Sequence, residues 1–121
     1  MHLIITHMCG PRDGEAMRIE ATGSPPAVTF GRQRTCAVSL PDDSELSRRH
    51  ACLSWREGNW WLEDLGSTNG SFVGEFAQQH KVTGAVRIAP GIVFRVGLSR
   101  FRIGSPETLK SAHFFKAERV Y

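Results

Sequence analysis

Short apolar runs broken every few residues by turn formers constrain this chain more than any other feature. "HLIIT" (2–6), "AMRIEA" (16–21), "AVTFG" (27–31) and "AVSL" (37–40) each have the length of one strand. "SFV" (71–73), "KVTGAVRI" (81–88), "IVFRVG" (92–97) and "SRFRIG" (99–104) continue the series. Between them stand "CGPRDG" (9–14), "TGSPP" (22–26), "PDD" (41–43), "APG" (89–91) and "GLS" (97–99), all rich in residues that turn a chain. Met17, Ile19 and Ala21 alternate with polar residues, and nothing before residue 104 carries a helical period. This rhythm predicts an all-β fold: a two-sheet β-sandwich of mainly antiparallel strands, with its functional loops at one end.

The clearest unit is "HACLSWREGNWWLEDL" (50–65), a hairpin with Glu57-Gly58-Asn59 as its turn. Ala51, Leu53 and Trp55 share one face, and Trp60 and Leu62 share a face of the return strand. Tryptophans this dense in one hairpin pack a core and hold strands together, so they are assigned no ligand. The segment "SPETLKSAHFFKAERVY" (105–121) differs. Ser105 suits a helix cap, Pro106 the first helical position and Glu107 the positive end of the dipole. A short C-terminal helix or linker is expected there, outside a folded domain of residues 1–104.

Composition narrows the class. A chain of 121 residues with 40% hydrophobic and 22% charged residues suits one soluble domain with its own core. "MHLIITHMCG" has no basic leader and too short an apolar run for a signal peptide, and no stretch reaches the length of a membrane helix. Cys9, Cys36 and Cys52 are odd in number and lack metal-ligand spacing, which favours a reduced, cytoplasmic setting with Cys36 and Cys52 as small core residues. The net charge of +3 suits an anionic partner, but no basic stripe with interleaved aromatics marks nucleic-acid binding.

Three clusters fall on loops: Gly31-Arg32, then Ser47-Arg48-Arg49-His50, then Gly66-Ser67-Thr68-Asn69-Gly70. Sandwich loops gather at the ends of the sheets, so these can converge. Guanidinium presents a planar fork that matches phosphate oxygens, hydroxyls add a donor each, and glycines let backbone N–H groups turn toward an anion. Together they suit a dianionic phosphate on a protein surface. Taken singly, Arg32 reads as a surface arginine and Asn69-Gly70 as a tight turn.

"GR" at 31–32, "SRRH" at 47–50 and "LEDLGSTNGSFV" at 62–73, in that order, resemble a forkhead-associated domain over roughly residues 1–104. The resemblance implies a β-sandwich that recognises phosphothreonine peptides through loops at one end. It implies that Arg32 and Ser47 contact the phosphate, with Arg48 as a second basic contact. Thr68 then lies beside the phosphate and the threonine methyl, and Asn69 bonds the peptide backbone. Gly31, His50, Ser67 and Gly70 become scaffold, and Glu45 occupies a specificity position that disfavours acidic peptides. Arg49 is expected to be solvated or paired with an acid. The chain departs from the family pattern at Gly74, where asparagine is common.

Catalysis is not expected. Ser47 and His50 have no orienting acid, and "G-x-S-x-G", "H-E-x-x-H" and nucleotide-binding loops are absent. No metal or cofactor is implied. The expected partner is a threonine-phosphorylated protein or peptide, with no nucleic acid and no membrane insertion, and with the domain part of a larger chain or complex. The competing expectation is a phosphate-independent interaction or oligomerisation module of the same fold.

Overall fold

The 50–65 segment forms the hairpin its alternation predicts. In the computed structural model, which describes residues 1–8 and 14–104, β5 (Ala51–Arg56) pairs antiparallel with β6 (Asn59–Asp64). Arg56 pairs with Asn59, so the turn is Glu57-Gly58 alone, both at positive φ (52° and 76°), one residue shorter than expected. Ala51, Leu53 and Leu62 are fully buried. Trp60 packs edge-on against Trp55 at 5.2 Å, while Trp61 lies on the other face under the Arg56 guanidinium.

Around this hairpin a five-stranded sheet forms in the order β4-β3-β5-β6-β9, with β3 at Ala27–Gly31, β4 at Val38–Ser39 and β9 at Ala85–Ile88. The opposing six-stranded sheet runs β2-β1-β11-β10-β7-β8. Its strands are β1 (His2–His7), β2 (Ala16–Glu20), β7 (Ser71–Val73), β8 (His80–Lys81), β10 (Val93–Val96) and β11 (Ser99–Ile103). The pairings are antiparallel except β3–β4. The two-sheet all-β architecture is therefore the one the alternation predicts.

Phe30 of one sheet meets Phe94 and Phe101 of the other at centroid separations of 5.5 and 5.4 Å. All three are fully buried. Each such side chain contributes about 1.5–3 kcal/mol of transfer free energy, so this aromatic trio holds the two sheets face to face.

Two expectations need correction. "KVTGAVRI" is not one strand: Gly84 (φ 64°) breaks it, and β8 joins one sheet while β9 joins the other. Cys36 is buried, but Cys52 is only half-buried, on the face of β5 opposite Leu53, so it is not a core residue. A 3-10 turn at Phe76–Gln78, not foreseen, follows Gly74. Gly74 has φ 114°, and a Cβ there would collide with the Gln78 carbonyl oxygen, which accounts for the glycine at this position. The turn expected at 9–14 lies outside the described residues except for Gly14, and the helix or linker expected at 105–121 lies outside them entirely.

Candidate functional site

The loops that follow β3, precede β5 and join β6 to β7 are tied together by direct hydrogen bonds. Gly31 is the last residue of strand β3, and nothing larger fits there. A Cβ there would collide with the Arg48 carbonyl oxygen and come within 2.9 Å of Cys36 Sγ. This close approach lets Arg32 N donate to Ser47 O and Gln33 N donate to Arg48 O, both at 3.1 Å. Arg32 Nε donates to Leu46 O at 2.6 Å. The two terminal guanidinium nitrogens keep no protein partner among the described residues.

His50 connects this pair of loops to the third. The ring is fully buried, its Nδ1 accepts from Ser47 N at 3.0 Å, and its Nε2 lies 2.8 Å from Gly70 O. Since Nδ1 is an acceptor, the proton is on Nε2, which donates to that carbonyl. A single imidazole thus spans 47–50 and 67–70. Ser47 Oγ accepts from Thr68 N at 3.1 Å, and Asn69 Nδ2 donates to Glu45 O at 2.9 Å and Glu45 Oε2 at 2.8 Å. Gly31, Arg32, Glu45, Ser47, His50, Thr68, Asn69 and Gly70 therefore belong to one bonded surface.

The "STNG" turn owes its shape to Asp64. Ser67 N (2.9 Å), Ser67 Oγ (2.5 Å) and Ser71 Oγ (2.6 Å) all donate to its carboxylate. Ser67 Oγ in turn accepts from Gly70 N at 2.9 Å, and Gly66 and Gly70 adopt φ 76° and 82°. Burial pushes the Asp64 carboxyl up, but the two hydroxyls, the Ser67 N–H and nearby His50 outweigh it and hold the group below its ordinary 3.8. A folded value below the unfolded one stabilises the fold above the unfolded value and is lost as pH falls through the folded value. Asp64→Ala is therefore expected to lower stability by about 2–3 kcal/mol at neutral pH. In urea titrations the gap from wild type should narrow as pH falls below about 4, since protonation removes the charged part of these bonds; a gap that is unchanged in acid would contradict this origin.

Asp43 is a second brace that sequence reading missed, having treated "PDD" only as a turn. Nearly buried, it accepts from Glu45 N, Leu98 N and Ser99 Oγ, so it seats the 43–46 turn on the β10–β11 hairpin. The local half of the signal, an aspartate accepting from the N–H two residues on, was readable; the half that bridges to residues 98 and 99 was not.

What faces outward is a donor set. Arg32, Arg48 and Thr68 are exposed, and neither the Arg48 guanidinium nor Thr68 Oγ1 has a protein partner among the described residues. Arg49 is exposed and makes no ion pair among them, the solvated alternative of the two expected. The Ser47 hydroxyl can still donate while it accepts from Thr68 N. Chemically, such a surface stabilises an anion. His50 does not act as a base toward Ser47, because its Nδ1 is occupied by the Ser47 backbone N–H. No cluster of ligating side chains among the described residues could hold a metal, and no helix is long and apolar enough to cross a membrane.

The chain is similar in sequence and in fold to known proteins. The chain is 40% identical over 85 residues to the FHA domain-containing protein FhaB of Mycobacterium tuberculosis, covering 70% of the chain and 52% of that protein. It is 43% identical over 70 residues to FhaB of Mycolicibacterium smegmatis, covering 58% and 42%. It thus spans about half the length of the curated relatives it matches. A solved structure from a structural and functional analysis of phosphothreonine-dependent FHA domain interactions superposes with a TM-score of 0.67 at 25% identity, covering 87% of this chain and 97% of that one. The FHA domain model matches residues 28–97, more than half of the chain and the span that holds all three bonded loops, so the chain belongs to the forkhead-associated (FHA) domain family.

Proposed function

We propose that this domain binds phosphothreonine peptides and so mediates protein–protein interaction that depends on phosphorylation. The observation that carries the reading is the hydrogen-bonded union of the three loops, with the Arg32 terminal nitrogens, the Arg48 guanidinium and the Ser47 and Thr68 hydroxyls turned outward. In this reading Arg32, Ser47 and Arg48 hold the phosphate, and Thr68 lies beside it and the threonine methyl. Asn69 Oδ1 accepts from the peptide backbone, since its Nδ2 is already committed to Glu45. Glu45 places a carboxylate next to the bound chain and disfavours acidic side chains there. Gly31, His50, Ser67 and Gly70 support these groups without touching ligand.

The reading extends the domain over residues 1–104, with 105–121 as a tail within a larger chain or complex. It makes the domain a non-catalytic module, since no base is aimed at either hydroxyl. It places the domain in the cytoplasm, where the free thiols of Cys36 and Cys52 stay reduced, and assigns it neither nucleic acid nor cofactor.

Calorimetry with three peptides that differ only at one residue tests the reading. The phosphothreonine form should bind at roughly micromolar Kd, the phosphoserine form more weakly for want of the methyl, and the unmodified form undetectably. Equal affinity for modified and unmodified peptide would replace this reading with a phosphate-independent interaction module.

A further inference from the structure

Two arginines beside the proposed phosphate site are left over once a phosphate is held. Gln33 O accepts from Cys36 N at 3.1 Å, which closes a turn with Arg34 and Thr35 at its tip. That turn is fixed on one atom of the neighbouring loop. The Arg48 carbonyl accepts from Gln33 N at 3.1 Å and from Cys36 Sγ at 3.4 Å. Arg34 and Arg49 are therefore both neighbours of Arg48, one across the bonded turn and one along the chain.

Arg34, Arg48 and Arg49 are exposed, and none of their guanidinium groups has a hydrogen bond or ion pair among the described residues. A phosphate ester carries about two negative charges, which Arg32 and Arg48 balance. Arg34 and Arg49 then remain on the same surface without counter-charge. Uncompensated like charges raise the local potential and attract an anionic ligand.

The acids of these loops lie elsewhere. Asp43 and Asp64 are committed to internal donors. Glu45 is held by Asn69, at the other end of a bonded series: the 33–36 turn joins Arg48, Ser47 Oγ joins Thr68 N, and Asn69 joins Glu45. Asp42 is exposed on the same 41–46 segment as Glu45. The series is positive at one end and negative at the other. An extended peptide laid across it meets opposite charges on the two sides of its phosphothreonine.

We propose that Arg34 and Arg49 are specificity-determining residues that receive acidic side chains on one side of the phosphothreonine only. The proposal rests on the phosphopeptide reading above and names its substrate class: a phosphothreonine flanked by carboxylates on one side and free of them on the other. The turn bonded to the Arg48 carbonyl presents Arg34 before any peptide arrives, so little order is lost on pairing.

The test is calorimetry with phosphothreonine peptides carrying three glutamates, or three glutamines, directly before or directly after the phosphothreonine. The readout is the affinity ratio of the glutamate to the glutamine form. On one side the glutamate form should bind wild type about fivefold more tightly at low salt, the sum of a few exposed ion pairs. On the other side it should bind no better than the glutamine form. The advantage should vanish at about 0.5 M salt and in Arg34→Gln/Arg49→Gln. It should survive in Arg87→Gln, which removes the same kind of charge from exposed β9. Binding of the glutamine peptides to every variant reports that each is folded. A ratio of one on both sides, an equal advantage on both sides, a ratio unchanged in the double variant, or an equal loss in Arg87→Gln overturns the proposal. Failure of the phosphopeptide reading looks different: the glutamine phosphopeptides would bind wild type no better than their unphosphorylated forms, and the proposal would fall with it.

Discussion

Arg32→Ala is expected to abolish measurable phosphopeptide binding while the domain stays folded. The guanidinium is oriented before any ligand arrives: its Nε is fixed on Leu46 O and its backbone N–H on Ser47 O. Its terminal fork is therefore aimed with little entropy left to lose on binding. Removing one member of a hydrogen-bonded charge pair typically costs about 2–5 kcal/mol, a loss of ~30-fold or more in affinity. Alanine gives up one side-chain hydrogen bond in the free protein, about 1 kcal/mol of stability. Calorimetry and thermal unfolding, run together, separate the two effects. Equal affinity of variant and wild type would remove Arg32 from the site.

His50→Ala should have the opposite profile, with stability lost first and binding lost as a consequence. The ring is fully buried and satisfies Ser47 N and Gly70 O at once. Alanine leaves a cavity and two buried backbone groups without partners, together about 3–5 kcal/mol. Against a total stability of about 5–15 kcal/mol for a domain, that is a large fraction, and the urea midpoint should fall steeply. Weak phosphopeptide binding should persist in whatever fraction remains folded, because no ligand contact is removed. An unchanged midpoint would mean that His50 does not clamp the loops.

The two variants divide the site into an outward layer that contacts ligand and an inner layer that holds it. Asp64 and Asp43 belong to the inner layer beside His50. A loop of glycines and hydroxyls has little intrinsic shape. Here the Asp64 carboxylate gathers two hydroxyls and a backbone N–H, so the outward Thr68 and Asn69 are held by a turn that is already formed.

Much of this was legible in the residues. Alternation at 27–31, 51–56 and 59–64 marked the strands and their buried faces. That pattern is local, since successive side chains on a strand point to opposite faces. The letters of the three loops were equally plain, because arginine, hydroxyl and glycine are unusual in combination. The split of 81–88 was harder to see. Val82, Val86 and Ile88 face apolar surroundings in both halves, and a hydrophobic pattern does not say which of two sheets it packs against.

The sequence alone settled the all-β rhythm, the buried face of the 51–64 hairpin and which side chains carry a positive fork or a hydroxyl, because those follow from side-chain chemistry and a two-residue period. Only the tertiary structure decided that Asp43 would meet Leu98, 55 positions away, that His50 would span two loops, and that Lys81 would lie against Gly70. Those meetings depend on strand order and register, which are set by how all the apolar faces pack at once.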